Sequence, residues 1–233
     1  GFICEQFLGE TREDLMAIIG TYFGVIIRSR FRLDREILER ADRLKFIGRV
    51  GSGLENIDVP FAEQSGIICL NSPEGNRVAV GEHAVGMLLS LFNQLNRTDR
   101  EVRQGIWNRE GNRGIEIQGK TIGIIGYGHT GSAFAQCLKG FDAHVISYDK
   151  YKSNYGDEFT EEVTMDEIFS SADVLSLPVP LTDETGYLVD TPYLDRFRNE
   201  IFLINTSRGR IVNTGDLVTA LKSGKVRGAA LDV

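Results

Sequence analysis

Gly126, Gly128 and Gly131 keep the spacing Gly-x-Gly-x-x-Gly, directly after the apolar run Thr121–Ile125 and before small residues that begin near Ser132. Glycines at that spacing let main chain grip a pyrophosphate. The first permits the tight turn, the second lets backbone approach the phosphates, and the third lets the following helix pack on the strand. The start of that helix adds unpaired N–H groups and a partial positive charge, so His129 and Thr130 border the same anion. Asp149 stands 18 residues past Gly131 and closes the next apolar run, His144–Tyr148. A carboxylate there accepts hydrogen bonds from an adenosine ribose. Without the acid, the glycines would mark only a βαβ turn.

Arg208 follows the run Ile201–Ile204 in Asn205-Thr206-Ser207-Arg208-Gly209. In open α/β sheets the carboxyl ends of the strands line the ligand crevice. A forked guanidinium there suits a carboxylate or a polarised carbonyl oxygen, or else pairs with a structural acid. Asp232 occupies a similar strand end, able to accept from a nicotinamide carboxamide or to cap a helix. Earlier in the chain, Gly51-Ser52-Gly53 within Arg49–Asp58 offers backbone N–H groups in a nest that fits an anion. The three histidines, His83, His129 and His144, have no acid partner by proximity in sequence.

These residues need a scaffold of alternating strands and helices, and the chain has one. Strands are expected at 25–27, 46–47 and 67–70, then at 121–125, 144–148, 173–177, 201–204 and 228–232, the later ones apolar enough for burial on both faces. Thr11, Asp34, Thr164 with Glu167, Thr191 before Pro192, and Asn213 or Thr214 are expected helix starts. One long helical pattern covers about 80–103, through Val85, Leu88, Leu89, Phe92 and Leu95.

Of 233 residues, 42% are hydrophobic and 25% charged, as in ordinary globular proteins, and the formal charge of −7 argues against a nucleic-acid role. No apolar run reaches the length of a membrane span, and no signal peptide is visible. Cys4, Cys69 and Cys137 lie far apart and read as reduced thiols of a cytoplasmic protein. Both ends read as cut: residues 1–4 begin as if inside a strand, and 229–233 stop in or just after one.

Together these motifs resemble the D-isomer-specific 2-hydroxyacid dehydrogenases over essentially the whole chain. The most specific pieces are 119–128, Ala172-Asp173-Val174-Leu175 through Pro180-Leu181-Thr182, and 203–209, with support from 49–58, Asn71-Ser72-Pro73, Asn76 and Glu82-His83. The resemblance implies an α/β fold of two doubly wound parallel-sheet domains. A flavodoxin-like substrate domain would span 1–81 and a Rossmann NAD-binding domain with a helical connector 82–233, each incomplete at its chain end. It implies NAD as cofactor, a small anionic 2-hydroxy or 2-keto acid as substrate, and a homodimer built around the connector near 82–107. It makes Arg208 the catalytic arginine that holds the substrate carboxylate and keto oxygen, Asp149 the ribose acid and Asp232 the carboxamide acid, with Thr206 on the cofactor side. Ser52 and Gly53 would grip the substrate carboxylate. Arg28, Ser29, Arg49 and Asn76 match substrate-side positions of phosphoglycerate-using members. The catalytic glutamate and histidine are expected beyond Val233.

Two departures stand out: Thr130 replaces a branched aliphatic in the glycine loop, and Pro178 replaces a histidine on the cofactor side. Hydride transfer between nicotinamide and the C2 of a 2-hydroxy acid is the leading expectation. Glyoxylate and hydroxypyruvate reductases, and NAD-sensing corepressors of the same fold, are the alternatives. Cofactor motifs alone do not separate them.

Overall fold

In the computed structural model, which describes residues 1–233, the chain divides into two units between Asn76 and Arg77. The first alternates α1 (Arg12–Ile18), β1 (Gly24–Ile27), α2 (Arg35–Leu38), β2 (Phe46–Arg49), α3 (Val59–Gln64) and β3 (Ile68–Asn71). Its three helices start on side-chain oxygens: Thr11 in a reciprocal capping box with Asp14, then Asp34, then Asp58. The strands form one parallel sheet in the order β1-β2-β3, with Ile27 opposite Arg49 and Arg49 opposite Asn71. Ile19, Leu33, Ile37, Leu44 and Ile47 are the buried centre of its core. Residues 1–4 form no strand. No ladder partner reaches them, and Phe2 lies exposed against the Phe23 ring instead.

The second unit opens with α4 (Arg77–Phe92) and α5 (Leu95–Arg103). It then alternates β4 (Thr121–Ile125), α6 (His129–Cys137), β5 (His144–Tyr148), β6 (Glu161–Glu162), α7 (Met165–Ser171), β7 (Val174–Ser176), α8 (Thr191–Asp195), β8 (Ile201–Asn205), α9 (Thr214–Ser223) and β9 (Val226–Leu231). The unit begins at Arg77 rather than after 81 because α4 packs on α6 along its length, with Gly81, Ala84 and Leu88 buried. The single helix expected over 80–103 breaks at Gln94, whose backbone is left-handed (φ 50°) and whose amide donates to the Arg113 carbonyl at 3.2 Å. Asp190, not Thr191, caps α8 by accepting from the Tyr193 N–H, which places Pro192 one position further in. The sequence reading missed β6, two exposed glutamates with no apolar signal.

All six strands run parallel in the order β6-β5-β4-β7-β8-β9. The chain therefore steps outward from β4 one way and from β7 the other, a doubly wound sheet whose direction reverses between those two strands. That reversal opens a crevice beyond their carboxyl ends, where such sheets bind ligands. One face buries Leu175, Leu194, Phe197, Ile201 and Leu203, and the other Phe92, Ile122, Ile124, Phe134 and Phe202. Phe92 fastens α4 to the sheet: it is 1% exposed and its ring centroid lies 4.8 Å from that of Phe202. Phe92→Ala is expected to destabilise this unit by about 3–5 kcal/mol, a loss that urea denaturation followed by circular dichroism measures directly.

Candidate functional site

The glycine loop joins β4 to α6 at the point where the sheet reverses. Gly126 has φ +95°, a conformation that side chains strain, and a Cβ there would lie 2.8 Å from Val179 Cγ1. At Gly131 a Cβ would collide with the Gly126 carbonyl oxygen. Helix α6 therefore starts just past the strand end, with Gly128 as its N-cap and no side chain accepting from its first turn. Six other helices of the chain do have such a side-chain cap. At α6 the free donors of His129, Thr130 and Gly131 suit an external anion. His129 is exposed and Thr130 half-buried.

Asp149 sits one residue beyond β5. Its Oδ2 accepts from the Tyr127 N–H at 2.9 Å and its Oδ1 from the Tyr151 N–H at 3.0 Å. The carboxylate is thus aimed by backbone, and each oxygen keeps capacity for a ribose hydroxyl. Tyr127 is itself fixed, because its hydroxyl donates to Asp157 at 2.9 Å and Lys152 Nζ reaches its carbonyl at 2.5 Å. A cavity of about 350 Å³ adjoins, walled by Tyr148, Val179, Leu188 and Tyr193 and edged by Gly126, Gly128 and Asp149. Burial pushes the Tyr193 phenol up, so it stays a neutral hydroxyl. An apolar slot beside a ribose acid and a phosphate cradle fits the adenosine diphosphate half of a dinucleotide. Pro178 lines the slot as well, and its ring closes on Gly131. A larger hollow of about 690 Å³ beside α4, α5 and β9 includes none of the expected cofactor residues.

A second group gathers at the ends of β8 and β9. The buried Asn205 organises it by donating through Nδ2 to the Arg208 carbonyl at 2.9 Å and accepting from the Ser207 N–H at 3.0 Å. Ser207 Oγ donates to the Leu177 carbonyl at 2.5 Å, and Arg208 Nη1 to the Ser207 carbonyl at 2.7 Å. Thr206 and Arg208 are both half-buried on this stitched turn. The Asp232 N–H donates to the Asn205 carbonyl at 3.0 Å, which brings the carboxamide candidate beside the arginine loop. Reasoning from the sequence overlooked Asn205 as an organiser, although an asparagine closing an apolar strand is a visible sign. It also left the histidines unpartnered. The fold pairs His83 Nε2 with Asp232 Oδ1 at 3.4 Å and His144 Nε2 with Glu161 Oε2 at 3.0 Å.

The first unit brings Arg28, Ser29, Arg49, Ser52 and Gly53 to the carboxyl ends of β1 and β2, with Asn76 exposed at its last residue. Arg28 is exposed and makes no ion pair, and its carbonyl accepts from Asn56 Nδ2 at 2.8 Å. Arg49 folds over its own loop, with Nη1 on the Val50 carbonyl and a buried Nε that has no partner. Asn71 Nδ2 ties down the Ser52 carbonyl at 2.6 Å, while the N–H groups of Ser52 and Gly53 donate to nothing in the chain. Asp58 is committed to capping α3 and pairs with neither arginine.

The family model described as "D-isomer specific 2-hydroxyacid dehydrogenase, NAD binding domain" matches residues 85–233. The chain belongs to that family. D-3-phosphoglycerate dehydrogenase of Archaeoglobus fulgidus is 36% identical over all of this chain and 45% of its own length. Hydroxypyruvate reductase of Thermotoga maritima is 34% identical over 95% of this chain and 72% of its own. The structure of NAD-dependent formate dehydrogenase from Staphylococcus aureus in complex with NAD superposes with a TM-score of 0.82 at 34% identity, covering 95% of this chain and 68% of that one. The chain thus spans a little under half of the phosphoglycerate dehydrogenase it matches. As in other members of this dehydrogenase family, the dinucleotide is NAD. Asp149 would repel a 2′-phosphate and accept from a 2′-hydroxyl. NADH is expected to bind about tenfold or more tighter than NADPH. Titration of protein fluorescence with each nucleotide measures the gap, and Asp149→Ser is expected to narrow it.

Proposed function

We propose that the protein oxidises D-2-hydroxy acids with NAD, that D-3-phosphoglycerate is its substrate, and that hydride moves between nicotinamide and the substrate C2. NAD, when bound, supplies the hydride-accepting carbon. The chain's own share is positioning and charge. Arg208 holds the substrate carboxylate and C2 oxygen, and its positive charge stabilises the charge that develops on that oxygen. The free N–H groups of Ser52 and Gly53 add donors to a carboxylate. Asp232 would hold the carboxamide of the bound cofactor, and Asp149 its ribose.

The observation that carries the substrate is the pair of arginines at adjacent strand ends. Arg49 lies in register with Ile27, the residue before Arg28, so both cations stand at the carboxyl end of the first unit's sheet. A buried guanidinium N–H without a partner costs free energy until something accepts from it, and a phosphate does so with strong charge-assisted bonds. The phosphoglycerate dehydrogenases among the relatives agree with this reading. The hydroxypyruvate reductase of Thermotoga maritima marks the second reading, an unphosphorylated acid. Arg28→Ala and Arg49→Ala decide between the two. Each is expected to lower kcat/KM for 3-phosphoglycerate about tenfold or more while leaving unphosphorylated 2-hydroxy acids nearly unchanged. Equal losses for all substrates favour the reductase.

A homodimer built on α5 completes the proposal. That helix has no buried residue, and Leu95, Val102, Ile106 and Trp107 expose apolar surface on it and just after it. Apolar surface grouped in this way marks a protein contact. Light scattering is expected to give twice the protomer mass, and Val102→Asp with Trp107→Ser to shift it toward the monomer.

A further inference from the structure

Lys150 directly follows the ribose acid and is the residue best placed to welcome a 2′-phosphate. Its ammonium is already engaged: Nζ donates to Glu184 Oε2 at 2.8 Å, and the Tyr151 hydroxyl donates to the same oxygen at 2.6 Å. Glu184 comes from the loop after β7, so the pair bridges two walls of the adenosine cavity, which all three side chains line. The loop holds Glu184 in place. Thr182 N–H donates to Thr185 Oγ1 at 2.8 Å, Thr185 Oγ1 to the Pro180 carbonyl at 2.6 Å, and Gly186 N–H to the Thr182 carbonyl at 2.9 Å. The other cations near the cavity are also committed. Lys152 donates to the Tyr127 carbonyl, and Arg196 pairs with Asp166 at 3.0 Å while lying over the Phe169 ring.

We infer that Glu184 is a second determinant of dinucleotide choice, acting by holding Lys150 across the mouth of the cavity and so withholding its ammonium from a 2′-phosphate. Asp149 supplies repulsion at the ribose, and Glu184 removes the compensating attraction. The mutual bonds hold the Glu184 carboxyl below its usual range and the Lys150 ammonium above its own, so the pair stays charged at neutral pH. Lys150 and Glu184 are 56% and 54% exposed, which keeps the effect moderate and makes it a preference rather than a barrier.

The inference rests on the cavity being the adenosine site, and the test separates the two. Calorimetric titration of the full chain with 5′-AMP and with adenosine 2′,5′-bisphosphate gives a ratio in which any misfolded fraction cancels. Glu184→Gln is expected to shift that ratio about fivefold toward the bisphosphate, and Glu184→Gln with Lys150→Met to lose the gain. An unchanged ratio in Glu184→Gln overturns the inference. So does a gain that survives Lys150→Met, which would leave only the charge of Glu184 at work. If the unaltered chain binds neither nucleotide, the cofactor assignment fails and takes the inference with it.

Discussion

The second unit depends on one close approach, that of the Gly131 backbone to the Gly126 carbonyl oxygen, where no Cβ fits. It allows α6 to begin after a loop of only three residues, 126–128, beyond the end of β4. The first-turn N–H groups then sit beyond the carboxyl end of β4, beside its neighbour β7, where the strand order reverses. With glycine at the N-cap, the absence of a side-chain acceptor costs only a few tenths of a kcal/mol and leaves the first-turn donors open to an anion. Helix α5 also starts without a side-chain cap, so what marks the start of α6 is its place at the carboxyl end of β4 beside Asp149.

That approach also aims the acid. With Gly126 in its positive-φ turn, the Tyr127 N–H points at Asp149, whose other oxygen is held from the Tyr151 N–H. Phosphate cradle and ribose acid are thus one hydrogen-bonded assembly. The buried Tyr127 ring, tilted 30° against Tyr155 with centroids 5.4 Å apart, anchors it from behind. Tyr155 and Asp157 thus hold Tyr127, and through it the backbone that aims Asp149.

Much of this was legible in the sequence wherever the signal is local. The glycine spacing, the strands buried on both faces and the caps at Thr11, Asp34, Thr164 and Asn213 each rest on residues close together in the chain. What escaped depends on distant partners. The break at Gln94 needs the carbonyls of 111–113, the β6 strand needs the edge of β5, and the His83–Asp232 pair joins positions from opposite ends of the unit. Of the candidate residues, Arg208 could be named from its place after a strand. The network that holds its loop could not, because Ser207 reaches the Leu177 carbonyl only once β7 and β8 pair.

Charge divides the remaining work between the units. Around the adenosine cavity every cation is spent on an acid or a carbonyl, and Asp149 faces the ribose, so the second unit resists any phosphate beyond the pyrophosphate. At the strand ends of the first unit the balance is reversed. Arg28 has no ion pair, Arg49 keeps a buried donor without an acceptor, and the N–H groups of Ser52 and Gly53 are free. Asp58, the nearby acid that could have neutralised the arginines, is turned to the start of α3. On the proposed reading, a doubly charged substrate would be drawn to the first unit, and a dinucleotide carrying an extra phosphate would be disfavoured by Asp149 in the second.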